Sequence, residues 1–203
     1  MIRKSLLQLI ILIIAAILPA AATCANDKPE DAPIVEQRIA FYDFTMNAAD
    51  GRPFNLRDYT KGKRLITVAF VAGWCPNSNR NGHVIKRLYD KFRDRGLGAV
   101  VVTEYSDDDE VTIHVNRIGI DYPVVVETNK RDARKKSLHY KYRQAAGDRR
   151  KWGTPFYVII DARDIEEAGP NAPLTRRVYT VSGEMVESEA ERFIEEHLRL
   201  QRP

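Results

Sequence analysis

Phe70-Val71-Ala72-Gly73-Trp74-Cys75-Pro76-Asn77-Ser78 is the stretch that decides the fold. It closes the run Leu65-Ile66-Thr67-Val68-Ala69-Phe70-Val71, whose length and β-branched, apolar content belong to a strand buried on both faces of a sheet. At Pro76 the period changes. Val84, Ile85, Leu88, Tyr89 and Phe92 recur at helical spacing with Lys86, Arg87, Lys91 and Arg93 opposite them, which predicts a helix from Pro76 to Arg95 ended by Gly96 and Gly98. Cys75 therefore sits where a buried strand hands over to a helix. A thiol there faces the positive end of the helix dipole and free backbone N–H groups, both of which favour the thiolate, the attacking form of sulfur. Pro76 suits the first helical position, because the N–H it lacks would have no partner there.

Outward from this point the pattern alternates. Ala99-Val100-Val101-Val102 predicts a second buried strand, and Ser106 to Asp109 supply capping and acidic residues for a helix running to Ile118. Tyr122 to Glu127 reads as a short strand, and Leu138 and Tyr142, four apart, mark a short helix. Phe156-Tyr157-Val158-Ile159-Ile160 is a strand entered through Thr154-Pro155. After a Gly-, Pro- and Asn-rich loop over 162–174, Arg176 to Val181 forms a strand that turns at Ser182-Gly183. Ser188 and Glu191 make a capping-box pattern ahead of a helix with Ala190, Phe193, Ile194, His197 and Leu198 on one face. Upstream, Asp50-Gly51 breaks the segment from Ile39 to Leu56 into a β-hairpin. Parallel strands with crossover helices, followed by a hairpin and a closing helix, define an α/β sheet.

Strand, Trp74-Cys75-Pro76 and helix together resemble the active site of the thioredoxin superfamily. The hairpin at Asp50-Gly51 ahead of Lys61-Gly62-Lys63 is similar to the leading hairpin of the TlpA-like and ResA-like redoxins, and Gly153-Thr154-Pro155-Phe156 to their cis-proline strand. The resemblance spans about residues 38 to 200. It implies a thioredoxin-like fold, with a central mixed sheet flanked by helices and an N-terminal β-hairpin. It further implies that Cys75 is the attacking thiol, that Pro155 forms a cis peptide bond facing it, and that Thr154 offers backbone hydrogen bonds to an extended substrate. Trp74 and Pro76 would complete the substrate surface.

Two positions depart from the family. Ser78 stands where a dithiol enzyme has its resolving cysteine, and Ala69 where many thioredoxins carry a buried acid. Serine cannot form a disulfide, so a mixed disulfide on Cys75 would need an outside thiol to release it. Ser78 either donates a hydrogen bond to the Cys75 thiolate or is simply solvated.

The remaining features bound the setting. With 203 residues, 44% hydrophobic, the chain holds one well-cored domain plus a leader. Arg3 and Lys4 precede an apolar run from Leu6 to Leu18, then Pro19 and small residues. Residues 1–25 thus read as a signal peptide or membrane anchor, 26–37 as a flexible spacer and 38–203 as the domain. An exported, periplasmic or otherwise extracytoplasmic protein follows. Cys24 lies in or beside the leader, leaving Cys75 as the thiol of the folded part. A net charge of +4 does not indicate nucleic acid. Much of the basic excess sits between Lys130 and Lys151, either a solvated face or a surface for an acidic partner or anionic lipid.

No cofactor or metal is expected. His83, His114, His139 and His197 make no ligand spacing with Cys75. A peroxiredoxin would need Thr or Ser where Ala72 stands. Three functions stay open: monothiol exchange on cysteine-containing exported proteins, resolved by a client or small thiol; retention of clients as mixed disulfides; and a redox-inert binding domain.

Overall fold

A computed structural model of the chain describes residues 29–169 and 171–199; the predicted leader, Cys24 and the start of the spacer lie outside them. Ten strands and five helices follow in order. They are β1 (Asp31–Ala32), β2 (Val35–Gln37), β3 (Thr45–Asn47), β4 (Pro53–Asn55), α1 (Leu56–Thr60), β5 (Leu65–Val71), α2 (Pro76–Phe92), β6 (Leu97–Glu104), α3 (Asp108–Ile118), β7 (Val124–Thr128), α4 (Leu138–Ala145), β8 (Phe156–Asp161), β9 (Val178–Val181), β10 (Glu184–Met185) and α5 (Glu187–Arg199). Six strands form the central sheet in the order β2-β9-β8-β5-β6-β7. β5, β6 and β7 run parallel, whereas β8, β9 and β2 join antiparallel. β3 and β4 make the leading hairpin, with Gly51 at its turn at φ +82°, where a side chain would be strained.

The strands at the centre are apolar throughout because both faces are covered. Leu65, Ala69 and Val71 of β5 point to one side, where they meet Ile85, Leu88 and Phe92 of α2 and Ile194 and Leu198 of α5. Ile66, Val68 and Phe70 point to the other, against Leu56 of α1, Tyr142 of α4, Phe41 and Leu174. Phe70 is fully buried and stacks on His139 with centroids 5.5 Å apart, so truncation to Ala would cost roughly 3–5 kcal/mol.

Three boundaries differ from the sequence expectation. The segment predicted as a spacer up to Gln37 instead pairs. β2 lies along the edge of β9 and β1 along β10, while Glu30 accepts from the Glu184 N–H at 2.7 Å. The open edge of β9 offers a row of backbone partners to any extended chain, whatever its hydrophobic pattern. Gly98 does not end the long helix but lies within β6, where Tyr59 and Lys63 press close over its bare Cα. α5 starts at Glu187, one residue ahead of Ser188, so Ser188 is helical and not the predicted cap.

Candidate functional site

Cys75 is the N-cap of α2, with extended backbone (φ −81°, ψ 121°) and Pro76 following in the first turn. The central strand β5 ends at Val71, and the period change at Pro76 turns the chain into α2 just beyond it. Three side chains hold the connecting loop, and a fourth orients one of them. Ser106 Oγ accepts from the Gly73 N–H at 2.8 Å, and Ser78 Oγ from the Ala72 N–H at 3.3 Å. Asn79 Nδ2 donates to the carbonyls of Gly73 and Cys75 at 2.9 and 3.1 Å, and its Oδ1 accepts from His114 Nδ1 at 2.8 Å. Gly73 cannot be larger, because a Cβ there would lie 2.3 Å from the Glu110 carbonyl oxygen.

The Thr154–Pro155 peptide bond is cis and faces the cysteine, as the resemblance implies. Cys75 Sγ lies 3.4 Å from the Thr154 carbonyl and donates to it, and the residue is only 8% exposed. Trp74 stands beside it with its indole Nε1 donating to the Tyr105 carbonyl at 3.0 Å, edge-on to Trp152 at 5.5 Å. Cys75, Trp74, Pro76, Thr154 and Pro155 therefore come together in one place.

Ser78 takes neither of its expected roles. It is fully buried, and its oxygen accepts from the Ala72 N–H instead of serving Cys75 or meeting solvent. Its position one turn into α2 aims it back under the strand end. Among the described residues Cys75 is the free cysteine.

The brace behind the site leaves no mark in the sequence. Tyr105 takes up φ +57°, a left-handed conformation that a bulky residue rarely adopts. That bend directs its carbonyl to Trp74, while its hydroxyl meets His139 Nδ1 at 2.9 Å. His139 Nε2 in turn lies 3.1 Å from the Gly153 carbonyl, just before Thr154. A carbonyl only accepts, so Nε2 carries the proton and Nδ1 accepts from the tyrosine. Burial, then the neighbouring Arg143 charge, pull the His139 pKa down to about 3, which keeps the ring neutral. One buried chain thus ties the Trp74 wall of the site to its Thr154 wall.

Ion pairs hold the loop 148–155 from below. The fully buried Arg143 bonds Asp148 at 3.3 Å and the Arg150 carbonyl at 2.9 Å. Arg150 grips Asp148, Glu30 and the carbonyls of Gly153 and Pro155. Burial alone would raise the Asp148 carboxyl, but hydrogen bonds from Arg150 and its charge outweigh it and hold the group low. Gly153 at φ +67° lies directly against Arg143. Glu104 is buried at the end of β6, beside Glu127 and Arg143. Desolvation first and Glu127 second push its carboxyl well up. The adjacent Trp-Gly-Thr-Pro run could have flagged Trp152; no local signal marks Tyr105 or His139, which are joined only by folding.

A cysteine capping a helix after a central strand, opposite a cis-proline, defines a thioredoxin-like redox fold. The chain belongs to the Redoxin family, whose model matches residues 35–171. Similar solved structures include the thioredoxin domain of a thiol-disulfide oxidoreductase from Bacteroides vulgatus, 16% identical over 80% of this chain and 97% of that one, with a TM-score of 0.57. A thioredoxin-family thiol:disulfide interchange protein from Chlorobium tepidum TLS is 20% identical over 80% and 97%, with a TM-score of 0.53. Among curated proteins, the chain is 27% identical over 154 residues to a "probable phospholipid hydroperoxide glutathione peroxidase" of Citrus sinensis, covering 69% of this chain and 91% of that protein.

Proposed function

We propose that this is an exported monothiol redoxin that exchanges disulfides on extracytoplasmic proteins through Cys75. The observation that carries the reading is the pairing of Cys75 Sγ with the Thr154 carbonyl across a cis-proline, with a buried Ser78 in the resolving position. The Cys75 thiolate attacks one sulfur of a client disulfide; that S–S bond breaks, the client's other sulfur leaves as a thiolate, and a Cys75–client disulfide forms. A second thiolate, from the client or a small thiol such as glutathione, then attacks the client's sulfur in that bond and returns Cys75 as thiolate. Redox state is balanced throughout, since each step exchanges one disulfide for another. The charged, apolar, small-residue order of residues 1–22 supports export, by a cleaved signal or a retained anchor.

The test is reduction or scrambling of a disulfide-linked peptide with and without glutathione, for the natural chain and Cys75→Ser. Activity that needs both Cys75 and glutathione supports monothiol turnover. Stable adducts without turnover would mean client retention, and no effect of Cys75→Ser would mean a redox-inert binding module.

A second reading draws on the Citrus relative. Cys75 would attack a hydroperoxide O–O bond, becoming a sulfenic acid and releasing an alcohol, and two thiols would then reduce it back. Ala72 stands against a peroxiredoxin, which would need Thr or Ser there, but does not bear on this route. Peroxide consumption at a rate exceeding disulfide exchange would favour it.

A further inference from the structure

Charges of both signs stand near Cys75. The start of α3 is acidic: Asp107, Asp108 and Asp109 follow directly on Ser106, the residue that holds the Gly73 N–H. Beside Trp74 lies Trp152, whose ring carries Arg134 at 5.0 Å and Lys151 at 5.7 Å. Trp152 touches Trp74 edge-on, so this cationic platform is continuous with the wall of the thiol site. Arg131, over Trp74 at 5.0 Å, is already matched by Glu110 at 3.0 Å. Arg134 and Lys151 are not matched. Arg134 donates to the uncharged Lys151 carbonyl, and among the described residues neither cation is in an ion pair. Asp132 is the one acid among the residues from Lys130 to Lys136. A guanidinium and an ammonium set against an indole keep their outer sides available to carboxylates.

We infer that the Trp152 flank of the Cys75 groove is a docking surface for acidic residues beside the disulfide of a polypeptide client. The inference rests on the exchange reading and adds its specificity: client acids that reach Arg134 and Lys151 help, and those that reach Asp107–Asp109 do not. Preference for acidic clients is therefore directional along the client chain.

The test uses self-quenched disulfide peptides with two Glu, two Ser or two Lys placed before or after the cysteine, reacted with the full chain at low and high ionic strength. In one of the two placements the Glu peptide reacts about fivefold faster than the Ser peptide at low salt, a gap of the size expected for a few partly screened charge pairs. Salt narrows it, because the charges are exposed. In Arg134→Ser/Lys151→Ser the Glu-to-Ser ratio falls to near one. Equal rates for Glu and Ser peptides, a preference that survives in the double variant, or discrimination replaced by binding to phosphatidylserine vesicles would each overturn the inference. Binding of the same peptides to Cys75→Ser gives a readout without chemistry. Glu-selective binding there, with no exchange by the natural chain, would sink the exchange reading and leave the docking surface standing.

Discussion

Tyr105 and His139 join the two walls of the thiol site, and their coupling can be measured. In Tyr105→Phe the His139 Nδ1 acceptor loses its 2.9 Å donor in a fully buried setting. Leaving such a group unpaired costs about 1–3 kcal/mol. The Ser137 hydroxyl, 3.3 Å from the tyrosine oxygen, already donates to the Arg134 carbonyl and is poorly placed to substitute. In His139→Leu the tyrosine hydroxyl loses its 2.9 Å acceptor and falls back on Ser137 Oγ at 3.3 Å, while the Gly153 carbonyl keeps Arg150 Nη2 at 3.2 Å as a second donor. The double variant removes the weakened donor and the vacated acceptor at once. Its loss is therefore smaller than the sum of the two single losses by about 1–2 kcal/mol. Urea unfolding gives the numbers, with the midpoint shifting and the slope unchanged. Additivity to within about 0.3 kcal/mol would refute the idea that the two residues act as one unit. On the proposed exchange function, the single variants also slow disulfide exchange at Cys75, since each frees Trp74 or Gly153 from the other.

Gly153→Ala places a Cβ against the buried Arg143 guanidinium in a left-handed backbone, and we expect it to cost about 3 kcal/mol or more in thermal unfolding. Glu104→Gln tests the buried acid. The folded state holds the Glu104 proton more tightly than the unfolded state, so that group's stabilising effect is full below pH 4.5 and is lost as pH rises. The variant therefore matches the natural chain near pH 4 and exceeds it increasingly toward neutrality, by denaturant titration at each pH. The two buried histidines act with the opposite sign. Burial, followed by the charges of Arg117 and His83, lowers the His114 pKa to about 4, and His139 titrates lower still. Between pH 6.5 and 4 the unfolded state takes up protons that the folded state refuses, so stability falls on acidification, by up to about 1.4 kcal/mol per pH unit for each histidine. In His139→Leu the slope of stability against pH is shallower over that window.

The apolar run Leu65–Val71, the helical spacing after Pro76 and the turn at Asp50-Gly51 determined the fold class, because burial on two faces and on one face leave different periods in the chain. Cys75, Trp74, Thr154 and Pro155 were legible for a related reason: each is bound to a local backbone event, a strand end, a helix start or an X-Pro bond. The edge strand β2 was not legible, since pairing at an edge needs backbone alone and leaves no hydrophobic signature. Ser78 was legible as a missing thiol, but only packing decided that its hydroxyl turns inward to Ala72. Tyr105, His139, Arg143 and Trp152 are spread over 48 residues of sequence and meet through hydrogen bonds and ring contacts that no periodicity encodes. The thiol at the head of a helix in a redoxin fold follows from the order of residues alone. Tertiary structure decided which buried polar groups brace it and which charged flank it presents to a partner, because both depend on distances between segments that are remote along the chain.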